Sequence, residues 1–437
     1  MAAIRPLLAL PLVLIAHPTL AQTPAERAAA VAGVEAFQAN CRADDGRLWG
    51  VTLCGPLIVV DGRTGLAVAT AKPPAGSFAA ERGVWIGRVP EGMQVANTAI
   101  EWEGTLWSTV RLPLPGDAYL RDKLIAHEAF HRVQQALGLN ARDAINAHLD
   151  EEDGRVLLRL ELRALTAAAT RTGASADAAA RDAVLFRVAR HRRYPGADTL
   201  EAMLELQEGL PEYTGARLAL RTRSDTAAVL QAATREFESR PTFVRALGYG
   251  TGPVLGLVLD RVRPAWRQQL RAEGFAPQLR TALDWRAPSD LDAAVAAAAA
   301  RYDGAALRDA EHARATERAA RLVAYRDALV RGPVLIARAE QLYRSFNPNT
   351  LMPLDDAGTV YPTGTFTADW GVLTVESGGA LLAPSNREVR VSTTGMTRDG
   401  ELKLIGQGWT LELKTGWQVV PGARAGDLEV RAQRGNR

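Results

Sequence analysis

Residues 124–134 read LIAHEAFHRVQ and set two histidines four positions apart, with a glutamate directly after the first. On a helix, positions i and i+4 share one face, about 5–6 Å apart between Cβ atoms. His127 and His131 therefore point the same way, and both can reach one zinc ion at roughly 2.0–2.1 Å. Glu128 sits about 100° round the helix, near such an ion without being aimed at it. That placing suits a general base acting on a water. The competing reading is a helix on which polar residues fell together by chance. Leu120, Leu124, Phe130, Val133 and Leu137 argue against it, because they make the helix apolar enough to be buried. Burial is costly for two histidines and a glutamate that serve no purpose. One Zn2+ per chain is the expectation.

Zinc needs a third protein ligand. His148 and His191 are available but stand in no supporting motif. Glutamates are the better source, and the stretch LELQEGLPEYTG, residues 204–215, offers Glu208. The alternative third ligand is Glu161, an acid on the otherwise apolar helix face of RVLLRLELRAL. Its bland reading is a partner for Arg159 or Arg163.

HEAFH followed by QEGLPEYTG resembles the gluzincin metallopeptidases, the aminopeptidase/thermolysin-like clan. In the aminopeptidase branch, H-E-x-x-H is followed by N-E-G-F-A-x-Y, whose glutamate is the third zinc ligand. The resemblance implies that role for Glu208, with Tyr213 matching the family tyrosine, Gln207 in place of Asn and Pro211 in place of Ala. Further on, YGTGPVLGLVL, residues 249–259, is similar to the branch's Y-[ED]-K-G and the apolar helix after it. This implies that Tyr249 helps to stabilise a tetrahedral intermediate; Gly252 is retained and Thr251 replaces the lysine. The chain departs from the family in three ways. His131 and Glu208 are 77 positions apart, room for an inserted pair of helices. The G-A-M-E-N segment that grips a substrate's free amine is absent, so aminopeptidase specificity does not carry over. The resemblance also covers only about residues 100–270.

The resemblance implies a zinc-dependent metallohydrolase, a peptidase acting on peptide or protein with Glu128 as general base. Two alternatives stay open. One is a non-catalytic zinc-binding scaffold or envelope interaction protein, whose C-terminal β module docks a protein partner. The other is a zinc hydrolase acting on a bond other than the peptide bond.

The scaffold around these residues is legible in outline, and the expected fold class is α+β. The amino terminus carries one charge at Arg5, an apolar run from Leu7 to Ala16, and small residues up to Ala21. That is the layout of a signal peptide, residues 1–21, and it predicts an exported protein, periplasmic or extracellular. No later stretch is apolar enough to span a membrane. The only cysteines, Cys41 and Cys54, are expected to form a disulfide in an exported chain. Net charge is +3 and lysine occurs only at 72, 123, 403 and 414. The arginines are scattered among acids, which leaves no nucleic-acid footprint.

Residues 22–115 read as a small, mostly β lobe after a short helix at 24–40. LIVVD and LAVAT form a hairpin about DGRTG, and two more strands flank Glu103-Gly104. Within the last of them, Trp107–Leu112 could pair with an extended peptide substrate. Residues 116–285 read as a helical lobe, with Asp117 capping a helix that Gly138 closes. Further helices are expected at 152–171, 176–192, 198–222, 226–239 and 251–272. An Ala/Arg-rich helical segment, 286–332, leads to an antiparallel β module at 333–437.

Overall fold

The computed structural model describes residues 24–433, apart from 94, 140, 143, 222 and 271–273. The expected signal peptide lies outside the described residues. The fold is α+β: a β region, a helical region, and a mainly antiparallel β module follow one another along the chain. The chain divides into two compact units, one of residues 1–140 with 211–224, the other of residues 141–210 with 225–437.

The first unit opens with helix α1 (Pro24–Asp44) and a sheet of strands β1 (Leu57–Val60), β2 (Leu66–Ala69), β3 (Ser77–Glu81), β4 (Val84–Arg88), β5 (Thr98–Trp102) and β6 (Thr105–Arg111). Their order is β3-β4-β2-β1-β6-β5, antiparallel except where β1 runs beside β6. The carboxylate of Asp61 ties the first hairpin by accepting from the Arg63 amide and the Thr64 hydroxyl, both at 2.9 Å. Glu103 and Gly104, both with positive φ, make the two-residue turn between β5 and β6. Strand β6 is interior, paired to β1 on one side and β5 on the other. Its ladder bonds are used on both sides, so the expectation that Trp107–Leu112 could take up an extended peptide is corrected. The sheet's edges are β3 and β5.

Helix α2 (Ala118–Gln134) comes next, capped by Asp117, whose carboxylate accepts from the Leu120 amide at 2.9 Å. The Cys41–Cys54 disulfide is formed and closes a loop that carries Trp49. The Trp49 indole donates to the Thr214 hydroxyl at 2.9 Å, and its ring meets Phe130 of α2 at 4.9 Å between centroids. Beside it, Arg132 of α2 donates to the Leu53 carbonyl at 2.9 Å. Gly55 leaves the space for that guanidinium, because a Cβ there would come within 2.5 Å of it. The disulfide loop thus braces the helix that carries both histidines.

In the second unit, α3 (Glu152–Thr170) lies against α4 (Gly173–Arg193). Next comes α5 (Ala197–Leu204), which runs through a π-helical turn, Glu205–Gly209, into α6 (Leu210–Ala219), whose residues from Pro211 onward belong to the first unit. Then come α7 (Thr226–Glu238), α8 (Leu247–Val262), α9 (Ala276–Ala282), α10 (Leu291–Ala299) and α11 (Gly304–Arg326). The helix expected at 251–272 starts earlier and stops at Val262, because Arg263 precedes Pro264 and is biased away from helix. Asp303, at φ +57°, breaks the Ala/Arg-rich segment into α10 and α11.

Residues 334–432 form a seven-stranded and a six-stranded sheet, antiparallel except where Leu428–Glu429 runs beside Leu335–Ile336. Leu335, Leu382 and Val389 of one sheet share a buried cluster with Phe366, Leu373, Trp409 and Leu411 of the other. The module is therefore a sandwich with an aliphatic and aromatic filling.

A Cys41→Ser, Cys54→Ser double variant should lose about 2–4 kcal/mol of stability in urea unfolding. An unchanged midpoint would show that the loop holds Trp49 without the covalent link.

Candidate metal centre

His127 is 4 % exposed and Glu128 5 %, both on the buried face of α2, while His131 is half-buried one turn on. The two histidine rings meet edge to face, with their Nε2 atoms 3.1 Å apart. Both Nδ1 atoms are engaged. His127 Nδ1 is 2.9 Å from the Glu212 carboxylate, an acceptor only, so that nitrogen carries the proton. His131 Nδ1 is 2.9 Å from Gln134 Oε1. Gln134 donates its amide nitrogen to the Leu139 carbonyl at 3.1 Å, so its oxygen is the end facing the ring. A neutral imidazole with its proton on Nδ1 has a lone pair on Nε2. Two such nitrogens therefore face each other, an arrangement that is favourable around a cation.

The ligand atoms of His127, His131 and Glu208 all lie within 4.8 Å of one another, a group able to hold a metal ion. Glu208 sits on the π-helical turn. Leu210 donates its amide to the Glu205 carbonyl, five residues back, and Pro211 follows. A proline has no N–H to offer residue 207, and its ring crowds that carbonyl; a widened turn relieves the conflict. Tyr249 of α8 donates its hydroxyl to Glu208 Oε2 at 2.6 Å. Two residues on, the Thr251 hydroxyl donates to Glu205 Oε1 at 2.7 Å.

The other candidates are engaged elsewhere. Glu161 is 1 % exposed and its oxygens lie 2.5 Å from Arg187 Nε and 2.7 Å from Arg190. Arginines further along the chain hold it, rather than Arg159 or Arg163. His148 and His191 each place Nε2 2.8 Å from Glu201.

Three residues were not singled out from the sequence. Glu212 orients His127 and also pairs with Lys123 of α2. Gln134 orients His131. The signal for Glu212 was present in QEGLPEYTG itself, since it comes four positions after Glu208 and shares its helix face. Gly215 lets the chain around Glu212 approach α2, for a Cβ there would stand 2.4 Å from the Lys123 carbonyl oxygen.

Burial alone would raise the Glu212 pKa, but the Lys123 ammonium and the His127 hydrogen bond outweigh it and bring the carboxyl down to about 2. No protein family, curated protein or solved structure matches this chain.

A carboxyl depressed in the folded state adds stability above its unfolded pKa, here the ordinary 4.5, and loses it as pH falls through the folded value. Metal-stripped protein should therefore lose on the order of 3 kcal/mol between pH 4.5 and 2 through Glu212. A Glu212→Gln variant should flatten that part of the stability profile measured by urea unfolding. Equal slopes for the two proteins would refute the assignment.

Proposed function

We propose that this chain is an exported zinc-dependent metallohydrolase, a gluzincin-like peptidase acting on peptide or protein. His127, His131 and Glu208 are the zinc ligands in this reading. The observation that carries it is the pair of Nε2 atoms 3.1 Å apart, each with the opposite ring nitrogen committed to an acceptor. Two nitrogens on a tetrahedral ion at roughly 2.0–2.1 Å would stand about 3.3 Å apart. Two imidazoles and one carboxylate are also a donor set found in catalytic zinc sites, which keep one position open. The disulfide supports export, and no helix among the described residues is long and apolar enough to cross a membrane.

When bound, zinc would supply Lewis acidity, polarising a carbonyl and making water a stronger acid. The chain's own residues do the rest. Glu128, next to His127 on the buried face, takes the proton of the attacking water and delivers it to the leaving amine. Glu212 and Gln134 keep both histidines in the tautomer that leaves Nε2 available. Tyr249 acts first on Glu208, whose carboxylate it orients through its hydroxyl. Donation to a developing oxyanion requires it to exchange that bond.

Purified mature protein should contain about one zinc per chain, retained in Glu161→Ala and lost in Glu208→Ala. Glu128→Gln should keep its zinc and lose roughly 10²–10⁴ in turnover of a denatured protein substrate. Turnover unchanged in that variant would sink the mechanism. Zinc without hydrolysis in the parent protein would leave a scaffold.

A further inference from the structure

Among the helices of the second unit lies a cavity of about 450 Å³, in the size range of small-molecule sites. It is lined by none of the proposed zinc ligands and by neither Glu128 nor Tyr249. Its walls are aliphatic: Leu165 of α3, Val184 and Val188 of α4, Met203 of α5, Leu255 of α8 and Leu279 of α9. Among the described residues no phenylalanine, tyrosine or tryptophan lines it.

One end of this cavity is ionic. Arg187 Nε donates to Glu161 at 2.5 Å, and its two terminal nitrogens donate to both oxygens of Glu205 at 2.9 and 2.6 Å. Behind these, Arg190 grips Glu201 through two bonds of 2.6 Å. Three carboxylates thus face two guanidiniums, all five groups buried. Among the described residues the cluster has one more carboxylate than guanidiniums. His191 also lines the cavity, but it is engaged with Glu201. Asp198 and Arg280, also on the lining, cancel by count. A surplus buried charge is costly unless an opposite charge joins it. The apolar walls meanwhile ask for hydrocarbon.

We propose that this cavity binds a small aliphatic amine, its hydrocarbon along the α3–α4–α8 walls and its ammonium at the Glu161–Glu205 end. A carboxylate of the same shape would meet the surplus charge as a repulsion, and an alcohol would leave it unbalanced. Recognition therefore needs both halves of the ligand.

The test is calorimetric titration of the full mature chain with n-octylamine, n-octanol and octanoate at pH 7, where the amine is charged. Octylamine should bind saturably at one site, about tenfold or more tighter than octanol, and octanoate should give no binding. Val188→Trp, which fills the cavity from its wall, should abolish the amine's binding while circular dichroism shows the fold intact. Should that variant fail to fold, Ala276→Trp, which fills the cavity from α9, takes its place. No saturable amine binding at millimolar concentration would overturn the proposal. So would octanol or octanoate binding as tightly as the amine, or a folded filled-cavity variant binding the amine as the parent does.

Discussion

A Cβ at position 252 would stand 2.3 Å from the carbonyl oxygen of Gly209 and 2.6 Å from its Cα. No side chain fits there. One turn earlier, a Cβ at Gly248 would meet the Leu204 carbonyl oxygen at 2.8 Å. These two bare positions let α8 lie backbone to backbone on the π-helical turn, and the residues between them do the positioning. Tyr249 reaches Glu208 and Thr251 reaches Glu205 only because the helices approach so closely. Any residue other than glycine at 252 would push α8 outward and release both hydroxyls from their acceptors. The orientation of the Glu208 carboxylate rests on a space that must stay empty.

Beneath that turn the helices are joined by charge. Burial alone would raise the Glu201 carboxyl, yet Arg190 and the two histidines hold it well below the usual range. Burial likewise opposes the charge on Arg187 and Arg190, and the carboxylates around them hold both guanidiniums above their ordinary value. Such a network contributes less to net stability than its bond count suggests, since each ion gave up water to enter it. Removing one member is different, because it strands a buried charge at a cost of about 3–5 kcal/mol. The network therefore specifies the mutual register of α3, α4, α5 and the π turn more than it strengthens them.

Local features were readable from the chain alone. The histidine helix announces itself through i, i+4 spacing, an aspartate cap and an apolar stripe, and the Glu103-Gly104 hairpin through its turn residues. The β module and the disulfide were legible for the same reason, as patterns within a few tens of residues. The features that escaped depend on pairing at a distance. That β6 is interior comes from its parallel pairing with β1, across the two hairpins between them. That Glu161 serves arginines at 187 and 190 needs the register of α3 against α4. Glu212 was in plain view, but its target sits 85 residues earlier on another helix. The break at Asp303 is a single left-handed residue in a run whose composition favours unbroken helix.

Helix α11 has consequences for the sandwich at its far end. Its 23 residues span about 35 Å, and neither glycine nor proline interrupts the chain from 305 to 331. Near its start, Glu311 is clamped by Arg155 and Arg159 at 2.6 and 2.9 Å. At its end, Leu322 and Tyr325 pack with Leu329, Met352 and Val360 against the first sheet of the sandwich. The connection is therefore a spacer with a definite reach and phase instead of a tether. One residue inserted between Arg318 and Leu322 would carry the sandwich about 1.5 Å outward and swing it roughly 100° about the helix axis. Length along this segment is as much a part of the molecule's design as any side chain on it.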